Sequence, residues 1–423
     1  MLRFAPSPTG EMHIGNLRVA IFNYIVSKQR KEDLIVRIED IDREKNIEGI
    51  DQEIVGILEL FGIEYSQVIH QSQNFKFHSA MALQLLHEKR AFSCFCSPEW
   101  LQKKREEAKE ANVEYKYDDA CRNLPAELVI DNTAPFTVRI ARPDKAIVIQ
   151  DHIKGEMSFD RDSVDSFVIL NQDKTPTYDF ATAVDDMLSD ISLVIRDEKY
   201  LENTPKQIHV RNQLGYEKKV EYAHLPSLLG EDVSVKQLLE EGYLPDAIAN
   251  YLIVLAHKTP SEIFTIKEAL EWFDLDSISD SPAHFEIEKL KEINREHLMR
   301  MDAKELSRYV GFADAEIGEL ARLYLNNEVV TTKALKSKIA PIFEERNIPS
   351  SFIEEVEKAA KAIKSAPYFD KYDDFKAYLL KESALQEKTL VKALHILLTN
   401  AEDGPDIAEV YKYLKNYIGE IVK

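Results

Sequence analysis

Between Pro6 and Asn16 the chain reads Pro-Ser-Pro-Thr-Gly-Glu-Met-His-Ile-Gly-Asn, with two prolines, two glycines and one histidine in eleven positions. Such a loop is stiff, and it delivers His13 and Gly15 to the start of a helix. The chemistry on offer there is anion binding. Free backbone N–H groups and the positive end of the helix dipole face an incoming phosphate, Gly15 lets the ligand approach the backbone, and His13 can donate to phosphate oxygens. The plainer alternative is a Pro/Gly turn ahead of a surface helix. A second chemical feature is the set Cys94, Cys96 and Cys121, the only cysteines of the chain, all within one short stretch. Their clustering suits a reducing compartment and a local metal site better than a disulfide framework.

The elements that must position these groups follow from periodicity. Leu17, Ala20, Ile21, Tyr24 and Ile25 recur at helical spacing after the loop, and Leu34-Ile35-Val36-Arg37-Ile38 reads as a strand. A second helix is expected from the apolar stripe Ile47, Ile50, Ile54, Ile57, Leu58 and Phe61, ending at Gly62. Helices alternating with short apolar strands predict an α/β domain with a parallel sheet. From about Ala91 to Asp162 the character changes: cysteines, a charged helix near Glu99 to Glu110, and β-like runs at Phe136–Ile140 and Ala146–Ile149 indicate an insertion. Alternating α/β character returns at Ser166–Leu170 and Leu193–Arg196. From Val233 onward the pattern is almost entirely helical.

Composition limits the options. The chain has 423 residues, too many for one core, and at roughly 100–200 residues per domain it should fold as two to four domains. Apolar residues make up 44% and charged residues 30%, and no window reaches the roughly 18 uninterrupted apolar residues of a membrane span. Met1-Leu2-Arg3-Phe4-Ala5-Pro6 has no export signal, so a cytoplasmic location and no membrane association are expected. A net charge of −20 argues against nucleic-acid binding, though only weakly, because binding depends on where the positive charge lies.

Specific resemblance begins at Arg3-Phe4-Ala5-Pro6-Ser7-Pro8-Thr9-Gly10 and His13-Ile14-Gly15-Asn16. This is similar to the opening of bacterial-type glutamyl-tRNA synthetases, class I enzymes with a "HIGH" signature, here with Asn16 in place of the final histidine. Arg37-Ile38-Glu39-Asp40-Ile41-Asp42 resembles the family's R-I-E-D-T-D. Pro176-Thr177-Tyr178-Asp179-Phe180 and Val184-Asp185-Asp186 resemble P-T-Y-x-F and V-D-D, and Val194-Ile195-Arg196-Asp197-Glu198 and Asn203-Thr204-Pro205 resemble V-I-R-G-E-D and N-T-P. The matches run in family order across some two hundred residues.

The resemblance implies a Rossmann-like nucleotide-binding α/β catalytic domain, an inserted α+β acceptor-binding domain and an all-α C-terminal anticodon-binding region. The boundaries implied are 1–92 and 165–230 for the two catalytic halves, 93–164 for the insertion, 231–300 for a stem-contact domain and 301–423 for the anticodon-binding domain. It implies an ATP- and Mg²⁺-dependent glutamate–tRNA ligase that joins L-glutamate to tRNA(Glu), tRNA(Gln) or both, and acts as a monomer. Arg3 and Arg196 would each grip a carboxylate, Glu39 would pair with the amino group, and Ala5, Ser7 and Tyr178 would complete the glutamate pocket. Pro8, Thr9, His13, Gly15 and Asn16 would hold ATP, with His13 and Gly15 acting in catalysis. Taken singly, Arg3 is an ordinary terminal residue and Glu39 a strand-end surface charge; the ordered set changes that reading.

Two points depart from the pattern. The family's lysine-rich "KMSKS"-type loop is missing: Leu225-Pro226-Ser227-Leu228-Leu229-Gly230 runs directly into Glu231-Asp232-Val233-Ser234-Val235-Lys236, about ten residues short. Either a mobile loop is omitted from the sequence at this join, or the protein has lost those lysines and its catalysis with them; the intact remainder of the site favours the first. In the insertion, some relatives hold a structural Zn²⁺. Asn123 stands where many have a histidine ligand, but Tyr117 precedes Cys121 by four residues, similar to relatives using a tyrosine oxygen beside Cys94, Cys96 and Cys121.

In the helical part, Lys289, Lys291, Arg295, Lys333, Lys336 and Lys338 are candidate phosphate contacts, against the simpler reading of solvated helix faces. A glutamyl-queuosine tRNA synthetase shares the catalytic half but lacks this long helical portion. A small nucleotidylyltransferase would not need glutamate-matched arginines or this length. A non-catalytic tRNA-binding paralogue is supported only by the missing lysine loop.

Overall fold

The computed structural model describes residues 1–230 and 233–422, in two compact units. The first comprises Met1–Val235, Leu252–Pro260 and Ile266–Phe285; the second comprises Lys236–Tyr251, Ser261–Thr265 and Glu286–Lys423.

The first unit opens with β1 (Leu2–Phe4), α1 (Ile14–Arg30) and β2 (Leu34–Ile38), then α2 (Ile50–Leu60), β3 (Gln67–His70) and α3 (Phe75–His87). β1, β2 and β3 form a parallel sheet, with Arg3 opposite Ile35 and Val36 opposite Val68. Every residue of β1 and β2 is buried, as expected of parallel strands covered by helices on both faces. α1 starts at Ile14 because His13 is extended at the N-cap, and it stops at Arg30 because Lys31 turns left-handed at φ 54°. The second helix is shorter than expected: it begins at Ile50, after Gly49 at φ 84°, and Ile47 lies before it, half exposed. Ile47 belongs to the loop instead, its N–H donating to Pro8 O at 2.9 Å.

The insertion follows as β4 (Ala91–Cys94), α4 (Pro98–Glu110), α5 (Ala126–Ile130), β5 (Thr137–Ile140), β6 (Ile147–Asp151), β7 (Gly155–Phe159) and β8 (Val168–Leu170). β4, β5 and β8 make an antiparallel sheet. The chain returns through α6 (Tyr178–Leu188), β9 (Leu193–Asp197), α7 (Thr204–Gln213) and β10 (Glu221–Leu225). β10 pairs in parallel with β9 and with β6, and β6 pairs antiparallel with β7, so the sheet is mixed where the sequence pattern suggests a parallel one. Ser192 N donates to Met1 O at 3.0 Å, which ties the start of β9 to the start of β1. β11 (Leu228–Leu229) pairs with β12 (Ala283–His284), a short strand inside the region whose pattern is otherwise helical.

The second unit is helical from Ile287–Arg300 to Ile418–Ile421. Its core gathers Val356, Ala359 and Ile363 with Leu390, Ala393, Leu394 and Leu397, all buried, at the helical spacing that the sequence shows. Lys289 and Lys291 are paired with Glu292 and Glu288, and Arg295 with Glu296. Lys333, Lys336 and Lys338 ride on the helix Thr332–Ile339. Among the described residues no helix is long and apolar enough to cross a membrane.

Candidate active site

The ends of β1, β2 and β9, the loop before α1 and the first turn of α6 meet around a cavity of about 280 Å³. Arg3, Ala5, Ser7, Thr9, His13, Gly15, Asn16, Glu39, Tyr178 and Arg196 all line it. An adjoining open cleft of about 860 Å³ shares Ser7, Thr9, Glu39 and Tyr178. Of the residues expected at the site, only Pro8 is not brought to the cavity: it is buried under the loop, and its carbonyl anchors Ile47.

The floor is a lattice of buried charge. Arg37 donates to Asp186 Oδ1 at 2.6 Å and to Glu39 Oε1 at 3.1 Å; Arg3 Nε reaches the same Asp186 oxygen at 3.4 Å, and Arg211 lies 3.9 Å from the other. Burial acts to raise the pKa of Asp186, yet Arg37, Arg3 and Arg211 together hold it down to about 2. Burial pushes Glu39 upward against the pull of Arg37 and Arg3. Desolvation also lowers Arg3, which makes an added carboxylate partner welcome there. Arg3 NH1 donates in addition to Ile195 O at 3.4 Å, so the side chain is held across to β9.

Arg196 is aimed by a separate set. Its NH1 donates to Gln207 Oε1 at 2.9 Å, NH2 to Thr204 Oγ1 at 2.6 Å and Nε to His224 Nε2 at 3.2 Å. His224 in turn meets Asp151 Oδ2 through Nδ1 at 2.6 Å, both side chains fully buried. An acceptor at Nε2 and a donor at Nδ1 define one neutral tautomer, and burial, with Arg196 as neighbour, lowers the histidine's pKa. Tyr178 packs against Tyr200 with the rings tilted, centroids 5.9 Å apart, to wall the cavity.

At the other end His13 caps α1, its Nδ1 accepting from Gly15 N at 3.1 Å. A Cβ on residue 15 would lie 2.9 Å from the His13 ring, so the glycine is required by the histidine as well as by any ligand. Val233–Val235 is pinned beside this turn: Ile14 N donates to Val233 O at 3.0 Å and Val235 N to Met12 O at 2.9 Å. The join after Gly230, where the lysine loop is expected, involves Glu231 and Asp232, which lie outside the described residues.

Sequence reasoning quoted Arg37, Asp186 and Thr204 within motifs without giving them roles, and it missed Tyr200, Gln207, His224 and Asp151. One signal was available for Arg37: two residues from Glu39 along a strand, it shares that residue's face.

In the insertion, Cys94, Cys96 and Cys121 place their sulfurs within 4.8 Å of one another. Tyr117 Oη stands 3.4 Å from Cys94 Sγ and 3.5 Å from Cys96 Sγ, and accepts from Cys121 N at 3.1 Å. Although burial opposes it, hydrogen bonds from Tyr117 and the Cys96 backbone, with the charge of Arg139, bring Cys94 down to about 7. Burial and the neighbouring thiols push Cys96 up to about 12. Three soft donors and a phenol at these separations can surround one small cation.

Residues 1–292 match a family model described as tRNA synthetases class I (E and Q), catalytic domain. Over the full length of both chains, the protein is 64% identical to glutamate–tRNA ligase 2 of Sulfurimonas denitrificans and 46% identical to glutamate–tRNA ligase 1 of Campylobacter jejuni subsp. jejuni. Both alignments run over 433 positions against the chain's 423 residues, so each relative carries residues with no counterpart here. The fold matches a crystal structure of a glutamate tRNA ligase from Elizabethkingia meningosepticum, in complex with its amino acid, at a TM-score of 0.83 and 24% identity, covering all of this chain and 98% of that one. The α/β architecture with a Rossmann-like catalytic domain and a helical C-terminal region is thereby accounted for, and the chain belongs to the glutamate–tRNA ligases of the class I tRNA synthetase family.

Proposed function

We propose that this protein activates L-glutamate with ATP and transfers it to the 3′ end of tRNA(Glu), tRNA(Gln) or both, in the cytoplasm and as a monomer. One observation carries the reading: two buried arginines, on β1 and β9, and a buried carboxylate just past the end of β2 converge on one cavity, beside a histidine-capped helix start. Arg3 and Arg196 match the two carboxylates of glutamate, Glu39 its ammonium, and Ser7, Ala5 and Tyr178 its flanks. The phosphates of ATP face His13, Gly15, Asn16 and Thr9 at the opposite end. An α-carboxylate oxygen attacks the α-phosphorus, pyrophosphate leaves, and a terminal ribose hydroxyl of the tRNA then displaces AMP from the adenylate. No covalent intermediate on the enzyme is needed. Catalysis rests on holding the reactants and stabilising phosphate charge, with Mg²⁺ entering together with ATP.

Residues 93–164 serve as the acceptor-binding insertion between catalytic halves 1–92 and 165–230, residues 231–300 as stem contact and 301–423 as anticodon-binding domain. Cys94, Cys96, Cys121 and Tyr117 fit a structural Zn²⁺, since sulfurs each about 2.3 Å from a common centre lie within the separations found here. When bound, the ion would supply cross-linking of β4 to the Tyr117–Cys121 turn and no chemistry. Metal analysis of the purified protein should find one zinc per chain, and C121S should lose it.

Charging assays with purified tRNA(Glu) and tRNA(Gln) test the central reading; failure with both, in protein whose intact mass confirms the sequence across Gly230–Glu231, would leave the non-catalytic paralogue standing.

A further inference from the structure

Resting on that reading, we propose that Lys199 is a phosphate-binding residue of the cavity, holding the nucleotide rather than glutamate. Lys199 follows β9 in the short turn Glu198–Asn203, where its backbone N–H is fixed by Asp197 Oδ1 at 2.9 Å. It is exposed, yet it lines the cavity, and among the described residues it is the only lysine that does. The resembled V-I-R-G-E-D element ends in an aspartate at this position, so the charge is reversed in this chain and the family pattern does not explain it.

The charge balance of the lining gives Lys199 its task. Arg3, Arg196 and Lys199 face Glu11, Glu39 and Asp197, which leaves no net positive charge to meet a triphosphate. Both guanidiniums are buried and held, Arg3 by Asp186 and Ile195 O, Arg196 by Gln207, Thr204 and His224. Lys45, in the adjoining cleft, is paired with Asp42 at 2.7 Å. No carboxylate of the described residues pairs with Lys199; its Nζ lies only against the Tyr200 ring, 5.2 Å from the centroid. A compact ammonium on a flexible four-carbon stem, free of a carboxylate and rooted at the cavity wall, is suited to follow a phosphate chain.

The competing role is packing on Tyr200, and side-chain shape separates the two. Mg-ATP affinity would be measured by calorimetry on the full chain for wild type, K199M, K199Q and K199R, at low and high salt, with KM for glutamate measured alongside. Loss of charge should weaken ATP binding about tenfold in both K199M and K199Q at low salt, and by less at high salt. K199R should keep most of the affinity, and KM for glutamate should stay unchanged. Wild-type affinity in K199M, or an equal loss in all three variants, overturns the proposal while leaving tRNA charging by the wild type as support for the wider reading. Absence of ATP binding by the wild type overturns both.

Discussion

The two ends of the cavity are built on opposite principles. At the floor, Asp186, Arg37, Arg3 and Glu39 are buried and bonded to one another before any substrate arrives. At the mouth, the side chains of Thr9 and Lys199 are exposed, and the His13–Gly15 turn is fixed. A free amino acid offers few contacts, so its selection must come from groups already in place; a triphosphate brings enough charge to organise mobile partners. The contrast predicts that floor substitutions damage stability and glutamate recognition together, whereas mouth substitutions act on the nucleotide alone.

The largest effect should come from removing the charge at the centre of the floor. D186N leaves Arg37, Arg3 and Arg211 facing each other without their shared anion. Breaking one partner out of a buried ionic network costs about 3–5 kcal/mol, so urea unfolding should show a loss of that size together with a raised KM for glutamate. A change under about 1 kcal/mol would mean that the lattice is not what holds the floor. The pH dependence has a definite sign. Asp186 is depressed to about 2 in the folded protein from an ordinary value of 3.8, so its contribution is complete above pH 3.8 and fades as pH falls towards 2. Acid unfolding of D186N should lack that component.

Next comes Arg196. Its three hydrogen bonds to Gln207, Thr204 and His224 use the planar fork of a guanidinium, which an ammonium cannot reproduce. R196K should raise KM for glutamate about thirtyfold, equivalent to about 2 kcal/mol for a charge-assisted bond, with a smaller effect on KM for ATP. Equal shifts for the two substrates would erase the proposed division between floor and mouth.

How much of this was legible follows the same division. The mouth, Lys199 apart, is local: Pro6 to Asn16 is one stretch, and its turn, its helix start and the strand Leu34–Ile38 could be read from spacing. The floor is not. Asp186 lies 149 positions from Arg37 and 183 from Arg3, and nothing in periodicity says that a V-D-D aspartate turns inward to meet them. Likewise His224 joins Arg196 only because β10 lies beside β9 with these two residues in register. Ile47 shows the reverse: its spacing fits the second helix, yet its N–H is held by the carbonyl of Pro8 in the loop before α1.

At the mouth, G15A should weaken ATP binding about tenfold, because the added methyl meets the His13 ring at 2.9 Å and turns it away from the helix start. Stability and KM for glutamate should change little, and a crystal structure of the variant should show the displaced ring. Unaltered ATP affinity would remove His13 from the phosphate site.

The smallest effect is also the one that tests how far the floor extends. His224 must stay neutral to accept from Arg196, and its lowered pKa means that the folded state favours the neutral form: this contribution is complete above the ordinary value of 6.5 and is lost as pH falls through the depressed value below it. Protonation would set one N–H against another, and the imidazolium would draw closer to Asp151. KM for glutamate should therefore rise a few-fold on acidification below pH 6.5, with kcat less affected. Arg196, Arg3 and Asp151 are the charges that act on His224, and Asp186, held near 2, does not titrate in this window. Glu39 is also shifted upward by burial, and loss of its charge would weaken binding of the ammonium. H224Q separates the two, since it abolishes the histidine's titration and leaves that of Glu39. A flattened KM profile in H224Q assigns the acid limb to the histidine and carries the floor as far as β10; a profile unchanged from wild type assigns it to Glu39 and ends the floor at Arg196.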